Sequence, residues 1–362
     1  MKESKPKCGT KATLQKYAKR YFIDAMGAMA NGLFASLLMG TIIKTIGQLL
    51  ANLLTGTSWQ FLSDALIQIG GWGGAVSGCA MAIAIGYALK ADPLVLFSLA
   101  VVGFATNEKG GAGGPLAVLV VAIVASEIGM LVSKKTKVDV IVTPFVTILA
   151  GCILALLIAE PIGKGASALG EIIRWATEQQ PFVMGIVISV VMGMILTLPI
   201  SSAAICASLG LTGLAGGASV AGCCAQMIGF AVISFRENRW GGLVAQGLGT
   251  SMLQVPNIFK NPRIWIAPTL ASAITGPLAT VLFKLEMNGA AVSSGMGTCG
   301  MVGPIGVITG WFTPENAISP TAMDWIGLLL ICIVLPAVLS LVFDRILRKI
   351  GWVKDGDMKL SV

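Results

Sequence analysis

The 362 residues carry 55% hydrophobic side chains and only 12% charged ones, at a mean hydropathy of +0.85, which excludes an ordinary soluble domain and defines a polytopic membrane protein. The net charge of +8 does not mark a nucleic-acid binder, because the basic residues sit at the two ends and in short loops between apolar runs, the pattern that sets membrane topology. The absence of histidine removes histidine proton relays and most metal sites, and seven of the eight cysteines fall inside apolar segments, as small buried residues do and a disulfide frame does not.

Seven Lys and Arg precede Asp24 in a basic tail, residues 1–24, without the brief apolar core and cleavage site of a signal peptide. Residues 25–43 are uncharged and long enough to span a bilayer, outward from a cytoplasmic tail. Residues 59–69 read as an interfacial helix, and 71–89 return inward. The run 94–106, of 13 residues, is too short for an upright span. It ends at Thr106-Asn107-Glu108-Lys109 before a glycine-rich stretch, and 116–132 lead to the basic cluster at 134–137. This predicts two crossings with a polar break near their turn. Residues 140–159 run outward and complete a first half, 25–160. An amphipathic surface helix over 164–179 lies in a linker, 161–180.

The second half, 181–344, opens with 55 uncharged residues, 181–235. An odd number of crossings fits the basic loop that follows: 181–200, a short 201–214 and 216–235, with Ser201 and Ser202 beside the break at Pro199. The tight pair 201–235 reads equally as a re-entrant hairpin. At 242–263, GLVAQGLGTSMLQVPNIFKNPR, an apolar half-helix stops at Gly249-Thr250-Ser251, where Pro256 and Pro262 deny continuation. Backbone that breaks at membrane depth is tolerated only where it is buried in protein or lines a cavity, so such a break points to a binding site. Residues 264–283 go outward, and the glycine-rich 289–310 predict an extended or hairpin re-entrant element. Residues 325–343 return to a cytoplasmic tail, 345–362. The fold class is an all-α membrane protein of about ten transmembrane helices in two halves, with re-entrant hairpins and broken helices in the second.

Ionisable groups inside a bilayer are expensive and are therefore functional candidates. Glu127 reads either as a buried proton or cation site or as a side chain reaching the cytoplasmic surface; Glu108 lies in the first-half break. The neutral candidates are Asn107, Ser201, Ser202, Thr250, Ser251, Gln254, Asn257 and Thr298, a set that suits a neutral polyol because hydroxyls need paired donors and acceptors at little net charge. No catalytic residue, metal site or cofactor is expected: the glycine clusters lack the lysine of a phosphate-binding loop, and no triad base is present.

GTSMLQVPNIFKNPRIWIAPTLASAITGPL (249–278), GMGTCGMVGP (295–304), TNEKGGAGGPLAV (106–118) and LPISSAAI (198–205) resemble the type 2 EIIC-like membrane components of the bacterial sugar phosphotransferase system, a group that includes the perfringolysin O regulator. The resemblance covers about residues 21–350. It implies a sugar-permease fold with two halves of five crossings, a homodimer formed through the first half, residence in the bacterial plasma membrane, and work alongside separate phosphotransferase proteins. EIIC permeases bind sugar in the second half, with a glutamate and often a histidine. This sequence has no histidine and no glutamate in 181–235, so those ligands have no counterpart. The expected function is transport of a small polar, carbohydrate-like solute by alternating access of the second half against the first. The alternative is a membrane-embedded sensor or regulator that binds a ligand or partner without transport.

Overall fold

The computed structural model describes residues 19–54, 59–311 and 320–360. Among them the secondary structure is helical, with one isolated antiparallel bridge between Gly213 and Met287. Six helical stretches are long and apolar enough to cross a membrane, and a bent pair adds a seventh.

Helix α1 (residues 19–54) contains the first expected span and is interrupted by π-type turns at Lys19–Asp24 and Phe34–Leu38. Helices α2 (Gln60–Ala75) and α3 (Ser77–Ala88) meet at a 46° bend, so the division expected near residue 70 falls at Val76. Glycines 70 and 73 remain helical because they press α2 onto α1: a Cβ on Gly70 would lie 2.4 Å from the Gly40 carbonyl oxygen.

Helices α4 (Pro93–Gly110) and α5 (Gly114–Val132) form an antiparallel hairpin in which Val95 packs against Gly129. The break expected after Thr106 comes a turn later, at Gly111, whose φ is +50°. Asn107, Glu108 and Lys109 close α4 instead of interrupting it, and a cation there complements the helix dipole. At the open end of the hairpin the Lys134 ammonium pairs with Asp92. This hydrogen bond holds the Asp92 carboxyl below its ordinary range. Its contribution to stability is therefore present above the unfolded value of about 3.9 and is lost as pH falls through the lower folded value. Melting curves of the protein and of Asp92→Asn should differ at neutral pH and converge in acid; because the pair is exposed, the difference should be small.

Helix α6 (Asp139–Thr177) runs unbroken for 39 residues, so the predicted surface helix at 164–179 is its continuation and not a separate element. Pro161, Gly163 and Gly165 look like a terminator in sequence. In the fold, Gly163 lets α6 approach the α4 terminus, where its Cβ would meet the Gly110 carbonyl oxygen at 2.6 Å. Glu127 accepts from Arg20 at 2.8 Å and from the Tyr21 hydroxyl at 3.0 Å, and so anchors the start of α1.

In the second half, α7 (Pro181–Thr197), α8 (Ser202–Leu209) and α9 (Gly213–Ile233) follow. At about 1.5 Å per residue α8 is about 12 Å long, less than half the hydrocarbon thickness. Helix α10 (Phe235–Val244), kinked at Arg239, passes through a π-type turn, Ala245–Gly249, and breaks at Thr250. A 3-10 turn, Ser251–Gln254, then starts α11 (Val255–Lys260). Pro256 begins this helix instead of blocking it, because the first turn needs no proline N–H. Helix α12 (Ile266–Pro277) follows a second 3-10 turn, Pro262–Trp265. The stretch 289–310, expected to be an extended or hairpin re-entrant element, forms two 3-10 turns, Ala291–Gly295 and Cys299–Met301, leading into α13 (Val302–Trp311). Positive φ at Gly297 and Gly300 makes that compact path possible. Helix α14 (Ala322–Lys349) ends the bundle, and residues 351–360 fold back beneath it.

Helix α9 is the axis of this half, with 89% of its apolar window buried. Small residues let its neighbours reach its backbone: a Cβ on Gly217 would lie 1.7 Å from the Leu285 carbonyl oxygen, and one on Gly222 would lie 1.9 Å from that of Ser189. The core around Met29, Met81, Ile85, Leu99 and Val118 also takes in Met252, Leu253 and Val255 from the second half.

Candidate solute-binding site

Three interruptions in the second half converge. Helix α7 ends at Leu198, whose backbone is extended. Ser201 then caps α8, its Oγ accepting from the Ala204 N–H at 3.2 Å while its own N–H donates to the Ala112 carbonyl at 2.8 Å. Thr250, with φ −156° and ψ 139°, is the extended residue between two helical turns, and its Oγ1 accepts from the Met252 N–H at 3.2 Å. The turn at 295–299 completes the group, with the Ser202 hydroxyl donating to the Gly295 carbonyl at 2.6 Å.

Between these breaks and α1 lies a cavity of about 70 Å³, lined by Ser201, Ser202, Thr250, Met252, Met296 and Cys299 on one side and by Leu33, Leu37, Leu38 and Pro115 on the other. The π-type turn Phe34–Leu38 carries two of its wall residues, and the π-type turn Ala245–Gly249 ends beside Thr250; such turns recur at functional sites. The wall is mostly apolar. Of its three hydroxyls, those of Ser201 and Thr250 have spent only acceptor capacity, so each keeps a proton to donate.

The other candidate residues lie elsewhere. Ser251 is fully buried and shares a hydrogen bond with Thr197 at 2.9 Å, and the buried Thr298 hydroxyl packs on the Met227 sulfur at 3.6 Å. Gln254 and Asn257 belong to an amide network. The Gln254 Nε2 donates to Gln246 Oε1 at 2.8 Å and to the Met358 carbonyl at 3.0 Å. The Asn257 Nδ2 donates to Gln254 Oε1 at 2.9 Å and to the Lys359 carbonyl at 3.0 Å. With Asn238, which donates to Met358 and accepts from the Leu360 N–H at 2.8 Å each, these amides hold the folded-back tail. Asn107 packs between Gly78 and Gly114 and donates to Ser77 at 3.5 Å; Glu108 is exposed on the last turn of α4.

Sequence reasoning missed Gln226. This fully buried residue of α9 accepts from the Trp265 indole at 2.9 Å and donates to Thr269 at 3.2 Å, joining α9 to α12. A glutamine within an uncharged 55-residue run was the available signal. Leu33, Leu37 and Leu38 carried none, since a wall leucine and a lipid-facing leucine look alike in sequence.

Apolar spans and buried broken helices define a multi-pass membrane protein. The chain belongs to the family described as "Phosphotransferase system, EIIC", which it matches over residues 23–360, and it is thereby a type 2 EIIC-like permease component of the bacterial plasma membrane. No curated protein matches the chain.

Proposed function

We propose that this permease carries a small polar, carbohydrate-like solute, bound where the three helix breaks meet and moved by alternating access of the second half, 181–344, against the first, 25–160. The observation that carries the reading is the convergence of hydroxyl-bearing breaks, distant in sequence, on a cavity whose opposite wall belongs to α1. A volume of about 70 Å³ falls short of the ~300–1,000 Å³ of small-molecule pockets. The cavity as it stands is too small for a sugar, which on this reading enters when Leu33, Leu37 and Leu38 draw away from Ser201, Ser202 and Thr250. Ser251, Gln254, Asn257 and Thr298 set the shape of the broken segments from behind, and Asn107 and Glu108 precede the α4–α5 turn, beyond which Pro115 opens α5. The same reading includes about ten crossings with both termini cytoplasmic, 201–235 as two short crossings or equally a re-entrant hairpin, a re-entrant element at 289–310, a homodimer through the first half, and separate phosphotransferase proteins as partners.

Uptake into proteoliposomes across a panel of sugars and sugar alcohols tests it. Thr250→Val keeps the volume and removes the hydroxyl, and is expected to lower uptake of the transported compound at least tenfold with a melting point within a few degrees. Cys299 supplies a second readout: in a variant lacking the other cysteines, that solute should slow its alkylation. A ligand that raises the melting point yet is never taken up would instead support the regulator reading.

A further inference from the structure

A second, larger groove, sharing no wall residue with the cavity, lies between α10 and the last turns of α14. Its volume is about 750 Å³, and Leu243, Leu341, Arg236, Arg345, Lys349 and Trp240 are among the residues that line it. Arg348, also in the wall, is consumed internally: it pairs with Asp344 at 2.7 Å, Asp355 at 2.6 Å and Glu237 at 3.3 Å. Asp344 is the carboxylate in the lining, and that bond to Arg348 engages it. Among the described residues Arg236, Arg345 and Lys349 form no ion pair, and all three are exposed. The groove therefore presents three exposed cations outside any ion pair, and the four basic side chains of its wall exceed by one the three carboxylates, Asp344, Glu237 and Asp355, gathered at Arg348.

We propose that this groove binds the headgroup of an anionic phospholipid, its phosphate against Arg236, Arg345 and Lys349. Depth supports this occupant. Helix α14 has 28 residues, about 42 Å at ~1.5 Å each, against a hydrocarbon core of ~30 Å, so its last turn stands in the headgroup layer. Trp240, 71% exposed on the facing wall, is the residue type that settles at that level. The surface below supplies the acyl path: Val338, Leu341, Val342 and Ile346 are exposed along α14. Arg345 and Lys349 continue the 338–341–342 stripe at helical spacing. A soluble anion would use the cations and leave the stripe idle; a phospholipid uses both, as basic pockets between membrane helices do.

Native mass spectrometry of the detergent-purified full chain tests the site, with phosphatidylglycerol or phosphatidylcholine added at equal molar excess. Phosphatidylglycerol is expected to show at least fivefold higher occupancy. The combined Arg236→Gln, Arg345→Gln and Lys349→Gln variant should fall to the phosphatidylcholine level, whereas Lys90→Gln, Lys135→Gln and Lys137→Gln together should not. Arg345→Gln and Lys349→Gln alone, each expected to lose at least twofold, keep the test valid if the combined variant does not fold. Equal occupancy by the two lipids, undiminished phosphatidylglycerol in the groove variants, or an equal loss in the control variant would overturn the proposal. Displacement of phosphatidylglycerol by millimolar inorganic phosphate would reassign the cations to a free anion and overturn it as well.

Discussion

Gly222→Val is expected to prevent the second half from assembling. At Gly222 three helices touch: α9 itself, α7 through the Ser189 carbonyl, and α12 through Ser272, whose hydroxyl donates to the Gly222 carbonyl at 3.3 Å. The obstacle at 1.9 Å is backbone, with Ser189 C and Cα at 2.5 Å behind it, so no side chain can swing aside. Overpacking in a core costs about 1–3 kcal/mol where side chains can shift, and sometimes more. Here α7 and α9 would have to separate, so the expected loss is at the top of that range or beyond it. Fluorescence-detected gel filtration should show aggregation or an early melt. Gly71→Ala provides the contrast: its Cβ would meet nothing within 4 Å, and replacing a helical glycine there should stabilise by about 0.5–1 kcal/mol. Equal behaviour of the two variants would refute the close-approach account.

Gln254→Leu should release the folded-back tail. The substitution removes the donor to Gln246 Oε1, which is buried, and one of the two donors to the Met358 carbonyl; it also removes the Gln254 Oε1 that accepts from Asn257. An orphaned buried acceptor costs about 1–3 kcal/mol and each lost hydrogen bond about 0.5–1.5, so a loss of roughly 2–4 kcal/mol is expected from this cluster. Met358 is itself fully buried, so loosening the tail also exposes an apolar anchor. Limited trypsinolysis followed by intact mass should show faster cleavage after Lys354 and Lys359 than in the parent protein. Unchanged cleavage would mean that the Arg348–Asp355 pair and Asn261, which donates to Asp357 at 2.8 Å, suffice to hold the segment.

Sequence legibility followed how locally each feature is encoded. The break at Gly249-Thr250-Ser251 and the cap at Ser201-Ser202 were readable because hydroxyls and prolines replace leucine where a span should continue. That both breaks face one cavity was not, since convergence is a property of packing. Gln254 and Asn257 read as solute ligands because an amide aimed at a ligand and an amide aimed at a backbone carbonyl are written identically, and the carbonyls of Met358 and Lys359 leave no trace in side-chain chemistry. Polar residues at 107–109 resembled a helix break because the last turn of a helix and a break favour the same residues. Glycine at 70, 73 and 163 marks contact between helices, a role that no local pattern shows.

The insertion of Met252, Leu253 and Val255 among the core residues of the first half bears on how such chains can be recombined. A cut at the middle of the sequence would not yield two self-contained modules, because the first would carry an empty socket shaped for those three side chains and the second an apolar tip with nothing to enter. Chimaeras that join the first half of one relative to the second half of another should therefore fold only where socket and tip match in volume. Exchanging 250–260 together with the first half should rescue mismatched pairs.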